Sequence, residues 1–254
     1  MRPVGDLLRD WRQRRRLSQL GLALDAGISA RHLSFLETGR AQPSREMVVL
    51  LAEQLEVPLR ERNALLLAAG YAPLYRERGL DDPDFAAIRA AVQRILAGHE
   101  PFPAVAVDRH WNLVAMNGGV GPLLAGVDAA LLAPPVNVLR LSLHPAGLAP
   151  RIANLAQWRE HLLSRLGRQI ADSGDPVLAS LRQELEALPH EGGEAVGDEL
   201  TALAVPLQLR TERGLLSFIS TSMVFGAPRD IGLAELAIEA FLPADDATAA
   251  ALRP

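Results

Sequence analysis

Residues 18–39 read SQLGLALDAGISARHLSFLETG, and the hydrophobic spacing in this stretch decides how the N-terminal part of the chain folds. It predicts two short helices, over 19–25 and 30–37. Gly27 lies between them, at a turn where a positive φ is cheap only for glycine. Ala23 is small, as a residue must be where two helices cross closely. The second helix has a buried side made by three apolar residues, Ile28, Leu33 and Leu36.

Two short helices joined by a tight turn are the plan of a DNA-binding helix-turn-helix, whose second helix lies in the major groove. Arg31, on the outer side of that helix, can make a bidentate contact to guanine, and Ala30 or Phe35 can touch a thymine methyl. Gln19, at the start of the first helix, can donate to a phosphate. An individual residue such as His32 has the alternative of an ordinary, partly exposed surface position. We expect DNA contacts from Gln19, Ser29, Ala30, Arg31, His32, Ser34, Phe35 and Arg40.

Further helices are predicted on both sides of this motif. An amphipathic helix spans 4–16, and the arginines at its end either favour the helix dipole or reach phosphates. One more helix follows Ser44, and another spans 59–69. Serine is a good N-cap, so the starts of three helices are marked by Ser18, Ser29 and Ser44. Five helices in the first 70 residues predict a compact all-α unit.

The length, charge and composition of the chain limit its number of domains and its location in the cell. The 254 residues suffice for two domains, and the chain carries a net charge of −4. Residues 1–62 hold 11 Arg against 8 acidic residues, a local +3, so a basic head precedes an acidic body. The chain contains no cysteine, no apolar run long enough for a membrane span and no signal-like N-terminus, which predicts a cytoplasmic protein that does not enter membranes.

The C-terminal part alternates strand and helix patterns. A connector over 71–102 contains a helix whose apolar stripe either packs on the second domain, which we favour slightly, or pairs with its twin in a dimer. The second domain spans 103–250, after a first domain over 1–70. Strands are predicted over 105–107, 111–115, 203–209, 215–225 and 233–242. Helices are predicted over 136–143, 151–171 and 176–188, a turn-rich loop over 190–198 and a frayed tail over 245–254.

The N-terminal residues resemble the XRE family of bacterial and phage helix-turn-helix proteins, which have a lambda-repressor-like fold. The resemblance covers 7–70 and implies that the residues around Ser29–Ser34 face DNA. It also implies that Glu37 pairs with Arg12 and holds the helices together. The matching residues are Arg12, Ser18, Gln19, Ala23, Ala26, Gly27, Ile28, Ser29, Leu33, Leu36, Glu37, Gly39, Pro43 and Ser44.

Two segments, ISARHLSFLETGR and RERNALLLAAGYAP, resemble the subgroup that carries an MmyB-like ligand-binding domain behind the DNA-binding head. Residues 104–117, AVAVDRHWNLVAMN, are similar to the first two strands of PAS-like sensor domains, and the MmyB-like domain is one of these. The resemblance implies an α+β domain with a five-stranded antiparallel sheet that cups a cavity. It also implies a hydrophobic ligand such as a fatty acid. We expect no other cofactor.

Residues on the apolar faces of this domain are candidates to line such a cavity, although ordinary core packing is the alternative for each of them. Asn117, Arg140 and His144 are candidates for fixing a polar head group. The expected ligand-binding residues are Trp111, Leu113, Met116, Asn117, Leu139, Arg140, Leu143, His144, Trp158, Leu162, Phe218 and Met223.

Catalysis has little support in the sequence. Asp108 and His110 can share a face of the predicted hairpin, where a surface hydrogen bond explains them, and the other histidines are scattered. The spacing of metal ligands is missing too, so we expect neither an enzyme nor a metal site. The leading hypothesis is a homodimeric regulator that binds a double-stranded DNA operator and a small hydrophobic ligand. The alternative is a small-molecule sensor whose helical head binds a protein partner.

Overall fold

A computed structural model of the chain describes residues 2–79, 82–189 and 205–253. The chain divides into two compact units. The first contains the chain up to Arg78 with two short segments, Ala171–Ser173 and Pro228–Ala234, and the second contains the rest. The domain boundaries predicted from the sequence, at 70 and 103, stay predictions. The predicted loop over 190–198 lies outside the described residues.

The first unit contains the five predicted helices. They are α1 Val4–Arg14, α2 Gln19–Asp25, α3 Ala30–Glu37, α4 Arg45–Gln54 and α5 Leu59–Ala68. The predicted serine caps are confirmed, because the hydroxyls of Ser18, Ser29 and Ser44 each accept a backbone N–H from the first turn of the following helix. Gly27 has a φ of 65°, the left-handed conformation that the turn requires.

The core of this unit is made by leucines from all five helices, together with Trp11 of α1. Helix α1 ends at Arg14 and not at the predicted residue 16, because Arg16 turns to a φ of 56° and stops the helix. Gly5 allows α1 to lie against the end of α3: a Cβ there would meet the carbonyl oxygen of Leu36 at 2.5 Å. The recognition helix is therefore held from behind by direct backbone contact.

The second unit alternates helices with five strands. Its helices are α6 Ala86–Gly98, α7 Val138–Leu143, α8 Leu155–Ser173 (whose last turn belongs to the first unit), α9 Pro176–Ala187 and α11 Asp246–Leu252. Its strands are β1 Ala104–Val107, β2 Leu113–Met116, β3 Leu207–Thr211, β4 Gly214–Val224 and β5 Ala237–Pro243. A short helix α10, Ile231–Ala234, lies between β4 and β5 in the chain and belongs to the first unit.

The five strands form one antiparallel sheet in the order β2-β1-β5-β4-β3, which confirms the predicted sheet. Side chains alternate between its two faces. Val92 and Leu96 of α6 pack on one face, so the stripe of this helix faces its own sheet, as favoured from the sequence. Residues from α7, α8 and α9 cover the other face, where the larger core lies.

Two C-terminal predictions are wrong. Strand β5 begins at Ala237 and not at 233, because the chain first forms α10. The tail is an ordered helix, α11, and not a frayed end. Asp245 caps this helix by accepting from the backbone N–H of Thr248, and the buried Thr248 hydroxyl accepts from Ser217 N of β4 at 2.9 Å.

Candidate DNA-binding surface and ligand cavity

Phe35, on the outer side of α3, lies close to two arginines, Arg31 of the same helix and Arg40 of the turn that follows it. The guanidinium carbons of Arg31 and Arg40 lie 5.3 Å and 5.9 Å from the centre of the Phe35 ring. Both arginines are exposed, and Phe35 is half-buried. Cations over an aromatic face are attracted by its quadrupole. The stack therefore explains an aromatic residue at this surface and limits the positions that both arginines adopt.

The other predicted DNA contacts lie around this group. The Ser29 hydroxyl accepts from His32 N at 3.1 Å, so it already caps α3. Ala30 is half-buried and packs against the core of the unit, and His32 and Ser34 are half-buried as well. The structure therefore places these residues on one short helix, with Arg31 the most exposed charged group on it.

Gln19 lies at the start of α2, but its side chain is engaged inside the protein. Its Nε2 donates to Glu37 Oε2 at 2.8 Å, and the residue is half-buried. One of its two amide hydrogens is therefore directed at a carboxylate in place of the expected phosphate. The contact also fixes the start of α2 relative to the end of α3.

A buried carboxylate organises the helices behind the exposed surface. Glu37 is 2% exposed, and Arg12 donates to it twice, from Nε at 2.6 Å and from Nη2 at 2.8 Å. The pairing of Arg12 with Glu37 that the family resemblance implied is thus confirmed. Arg9 lies 3.8 Å from the same carboxylate and donates to the carbonyl of Glu37.

Electrostatics within this network keep Glu37 ionised. Burial alone would raise the pKa of Glu37, but the hydrogen bonds from Arg12 and Gln19 and the charges of Arg12 and Arg9 outweigh it, so the pKa is lowered. The hydrogen bond to Glu37 raises the pKa of Arg12. A bidentate arginine–carboxylate pair fixes geometry as well as charge, so α1, α2 and α3 are held in one arrangement.

A cavity of about 100 Å³ lies in the second unit, between the sheet and the helices that cover it. Its walls are mostly apolar, as small-molecule sites usually are. Five of the residues expected from the sequence line it: Trp111, Leu139, Trp158, Leu162 and Phe218. Further walls come from Leu123 and Leu124, in a 3₁₀ turn after β2, and from Phe241 of β5.

The other expected residues lie outside the cavity lining, for identifiable reasons. Met116 is exposed on the edge strand β2, and Met223 packs with the α6 core on the other face of the sheet. Leu113 and Leu143 belong to the main core. Apolar character alone predicts neither the face of the sheet on which a side chain lies nor its depth in the core.

The three candidates for a polar anchor are engaged elsewhere. The Asn117 amide accepts from Ala104 N and donates to two carbonyls, so it joins the end of α6 to β1. Arg140 pairs with Glu184 at 2.6 Å and 2.7 Å on the outside of the unit, which raises the pKa of Arg140. His144 Nδ1 accepts from Ala146 N at 3.0 Å within a turn.

The polar wall of the cavity is formed by residues that the sequence analysis missed. Arg165 of α8 donates to Glu239 of β5, from Nη1 at 2.8 Å and from Nη2 at 2.6 Å. The Glu239 side chain is 4% exposed, and Ser222 bonds to both partners. The guanidinium carbon of Arg165 lies 4.5 Å from the centre of the Trp111 ring. Ser142 and Ser220 also line the cavity.

The side chains of Asp108 and His110 bond to different partners. Asp108 accepts from the backbone N–H groups of His110 and Asn112, while the His110 ring bonds to Asp175 at 2.9 Å. Burial would raise the pKa of Asp175, but the hydrogen bonds from His110 and Val177 N lower it. Among residues 2–79, 82–189 and 205–253, no group of acidic and histidine side chains could hold a metal ion. In the same residues, no helix is long and apolar enough to cross a membrane.

A helix-turn-helix unit joined to an α+β unit with an apolar cavity defines a DNA-binding transcription regulator with a ligand-binding domain. Comparison with family models supports this class. Residues 8–62 match the helix-turn-helix model, and residues 88–254 match the MmyB-like transcription regulator ligand binding domain. The second match covers more than half of the chain, so the protein belongs to the family of regulators with this domain. A comparison with curated proteins finds no match to the chain.

Proposed function

We propose that the protein is a sequence-specific transcription regulator that binds a double-stranded DNA operator as a homodimer and senses a small hydrophobic ligand through its second unit. The observation that carries the proposal is the arrangement of α3. Its outer side presents Arg31 and Phe35, Arg40 lies beside them in the turn after the helix, and the end of the helix is anchored by the buried Glu37 network. A recognition helix needs both an exposed basic surface and a fixed orientation.

On DNA, we assign Arg31 to a bidentate contact with guanine. Phe35 then packs against a thymine methyl, and Arg40 contacts a phosphate. Ser29, Ala30, His32 and Ser34 complete the surface, and Gln19 contacts the backbone with the amide hydrogen that Glu37 leaves. The local charge of +3 over residues 1–62 supports association with DNA in the cytoplasm despite the negative total.

A homodimer fits this mode of binding. Helix-turn-helix proteins commonly place two recognition helices in successive major grooves, about 34–36 Å apart, on a near-palindromic site. A single short helix contacts few base pairs, so a second copy supplies much of the specificity.

For the second unit, we propose that the cavity holds an apolar ligand, with the fatty acid implied by the family resemblance as one class. A volume of about 100 Å³ is below the roughly 300–1,000 Å³ of drug-sized sites. A long chain therefore requires the walls to move apart. A ligand that binds a wider form more tightly shifts the population toward that form, and such differential binding is what a sensor requires.

The DNA-binding proposal is tested by titrating the purified protein into labelled fragments from upstream of its own gene at several salt concentrations. We expect affinity to fall steeply with salt, because phosphate contacts release counterions. Arg31→Ala should cost about 1–3 kcal/mol of binding free energy.

The matched control is Arg94→Ala, which removes one exposed arginine from α6 in the other unit and should leave affinity almost unchanged. Equal losses in the two variants would contradict the assigned role of α3. Absence of DNA binding even at low salt would favour a protein partner for the head. The exposed Leu20 and Leu24 on α2, at 60% and 71%, would then be the first surface to test.

The ligand proposal is tested by extracting the purified protein with organic solvent and analysing the extract by mass spectrometry. A stoichiometric apolar compound would support the cavity as a binding site. We expect it to be lost from Leu139→Trp, because the added indole fills the cavity. The same compound retained by this variant would show that it binds elsewhere.

A further inference from the structure

The polar wall of the cavity carries one positive and one negative side chain, and these are already paired. Arg165 and Glu239 are joined by two hydrogen bonds, and Ser222 bonds to both. Their charges therefore cancel at the wall. A binding site for a ligand carboxylate would present a cation that is not already paired with an acidic side chain.

Glu239 is fixed in this position by the sheet. It lies on β5, which runs between β1 and β4, and it is paired in register with Val105 on one side and Ser222 on the other. Its side chain is 4% exposed. A ligand carboxylate that approached Arg165 would therefore meet a buried carboxylate that is already hydrogen-bonded to that guanidinium, and like charges close together repel each other.

Further positive charge at this wall is limited. His161 stacks on Trp158, which lines the cavity, with ring centres 5.4 Å apart. Burial lowers the pKa of His161, and the charges of Arg165 and Arg168 lower it further against the opposing effect of Glu239, so the neutral imidazole is favoured. It does not offset the charge of an anionic ligand.

The remaining hydrogen-bonding capacity suits an uncharged polar group. A guanidinium carries five N–H donors, and within the described part of the chain Arg165 makes three hydrogen bonds, to Glu239 and Ser222. Glu239 is an acceptor only. Ser220 adds a hydroxyl at the cavity, and Ser142 adds another, whose oxygen already accepts from Trp158 Nε1 at 3.0 Å. A hydroxyl group can accept from Arg165 and donate to Glu239, whereas a carboxylate can only accept.

We propose that the cavity selects apolar molecules whose polar end is an uncharged hydroxyl, such as an alkyl alcohol, over molecules that end in a free carboxylate. The proposal rests on the ligand-sensing role proposed above and narrows its chemistry, because it makes an ionised fatty acid, the class that the family resemblance implies, the less favoured ligand. The Arg165–Glu239 pair is the element that discriminates, and the apolar walls bind the chain of either molecule.

The test is calorimetric titration of the full-length protein with three probes of equal chain size. Octan-1-ol both donates and accepts, 1-methoxyheptane only accepts, and octanoate is ionised at about pH 8. We expect the alcohol to bind about tenfold more tightly than the ether, equivalent to about 1.4 kcal/mol. Octanoate should bind most weakly. This comparison needs no variant, so it stands even if a substitution prevents folding.

Glu239→Gln removes the negative charge and retains the shape of the side chain. We expect it to tighten octanoate binding by about tenfold or more, while octan-1-ol changes much less. The control is Glu184→Gln, which removes the same charge from the exposed pair with Arg140 and should change neither affinity.

Each outcome decides between specific claims. Octanoate that binds the original protein as tightly as octan-1-ol, or that gains nothing from Glu239→Gln, would overturn the proposed selectivity and leave the ligand-sensing role intact. Failure of all three probes to bind would overturn both the selectivity and the cavity as a ligand site. Neither result would bear on the proposal that the first unit binds DNA.

Discussion

Each of the two units contains an arginine that forms a bidentate ion pair with a buried glutamate. The two pairs differ in what surrounds them. In the first unit, Arg12 and Glu37 are enclosed by α1, α2 and α3, and Glu37 also receives Gln19. In the second, Arg165 and Glu239 lie at the wall of a cavity, and a quarter of the Arg165 side chain is exposed. The same chemical pair thus fixes helices in one place and faces a binding space in the other.

The difference shows that a buried ion pair has no single function. Around Glu37 every neighbour is a helix of the same unit, so the pair acts as a support for the recognition helix. Around Glu239 one side lines the cavity, where we propose that the pair sets selectivity.

The largest effect is expected from Glu37→Ala. It leaves the charge of Arg12, whose side chain is 11% exposed, without its partner. Removing one partner of a buried pair typically costs about 3–5 kcal/mol. Urea unfolding followed by circular dichroism should show the helical unit destabilised by this amount, with DNA binding lost in parallel. A loss below about 1 kcal/mol, the value of exposed pairs, would contradict the structural role.

Acid should weaken the first unit through the same residue. The pKa of Glu37 is lowered in the folded state, so its stabilisation is present above the unfolded pKa, about 4.3, and is lost as pH falls through the folded pKa. The stability difference between the original protein and Glu37→Gln should therefore shrink as pH falls below about 4. Unfolding curves at a series of pH values measure it, and a difference that stays constant would contradict the account.

Glu239→Ala should cost less than Glu37→Ala, about 1.5–3 kcal/mol, the value for hydrogen bonds to charged groups. Without Glu239, Arg165 still donates to Ser222 and still lies over the Trp111 ring, and part of its side chain is exposed to solvent. Its charge is therefore not left buried without a partner. The measurement is unfolding followed by the fluorescence of Trp111 and Trp158, both in the second unit, with Trp11 of the first unit replaced by Phe. A cost equal to that of Glu37→Ala would remove the distinction between the two pairs.

The smallest effect is expected from the cap of α3. Ser29→Ala should destabilise the first unit by about 1 kcal/mol, because His32 N loses its acceptor. Ser220→Ala, at the cavity wall, is the counterpart in the second unit and should change stability by much less. A loss for Ser29→Ala no larger than that for Ser220→Ala in thermal melts would contradict a specific contribution of the Ser29 cap.

The Arg12–Glu37 pair was predicted at the sequence level and the Arg165–Glu239 pair was not, for a physical reason. The starts of α2, α3 and α4 are set by serines whose hydroxyls bond within three residues, so the local pattern was sufficient. The resemblance to a known family then identified Arg12 and Glu37. Gly5 was missed, although an isolated glycine in a helical pattern often marks a close backbone contact.

Arg165 and Glu239 are 74 residues apart, and neither stands out in its own segment. They meet only because β5 lies in the centre of the sheet and α8 packs above it, which local patterns do not encode. The ordered tail was missed for a similar reason: Thr248 bonds to β4 across a separation of 31 residues. The apolar walls were partly predictable, because large side chains at alternating positions face one side of a sheet.

Recognition of bases by α3 is the central claim about the function of this protein. The decisive measurement is the binding of the original protein and Arg31→Ala to an operator fragment and to a set of its single-base substitutions. We predict that the original protein discriminates strongly at one guanine in each half-site, and that Arg31→Ala loses about 1–3 kcal/mol of discrimination at that base and keeps it elsewhere. An unchanged pattern of base preference in Arg31→Ala would contradict the account.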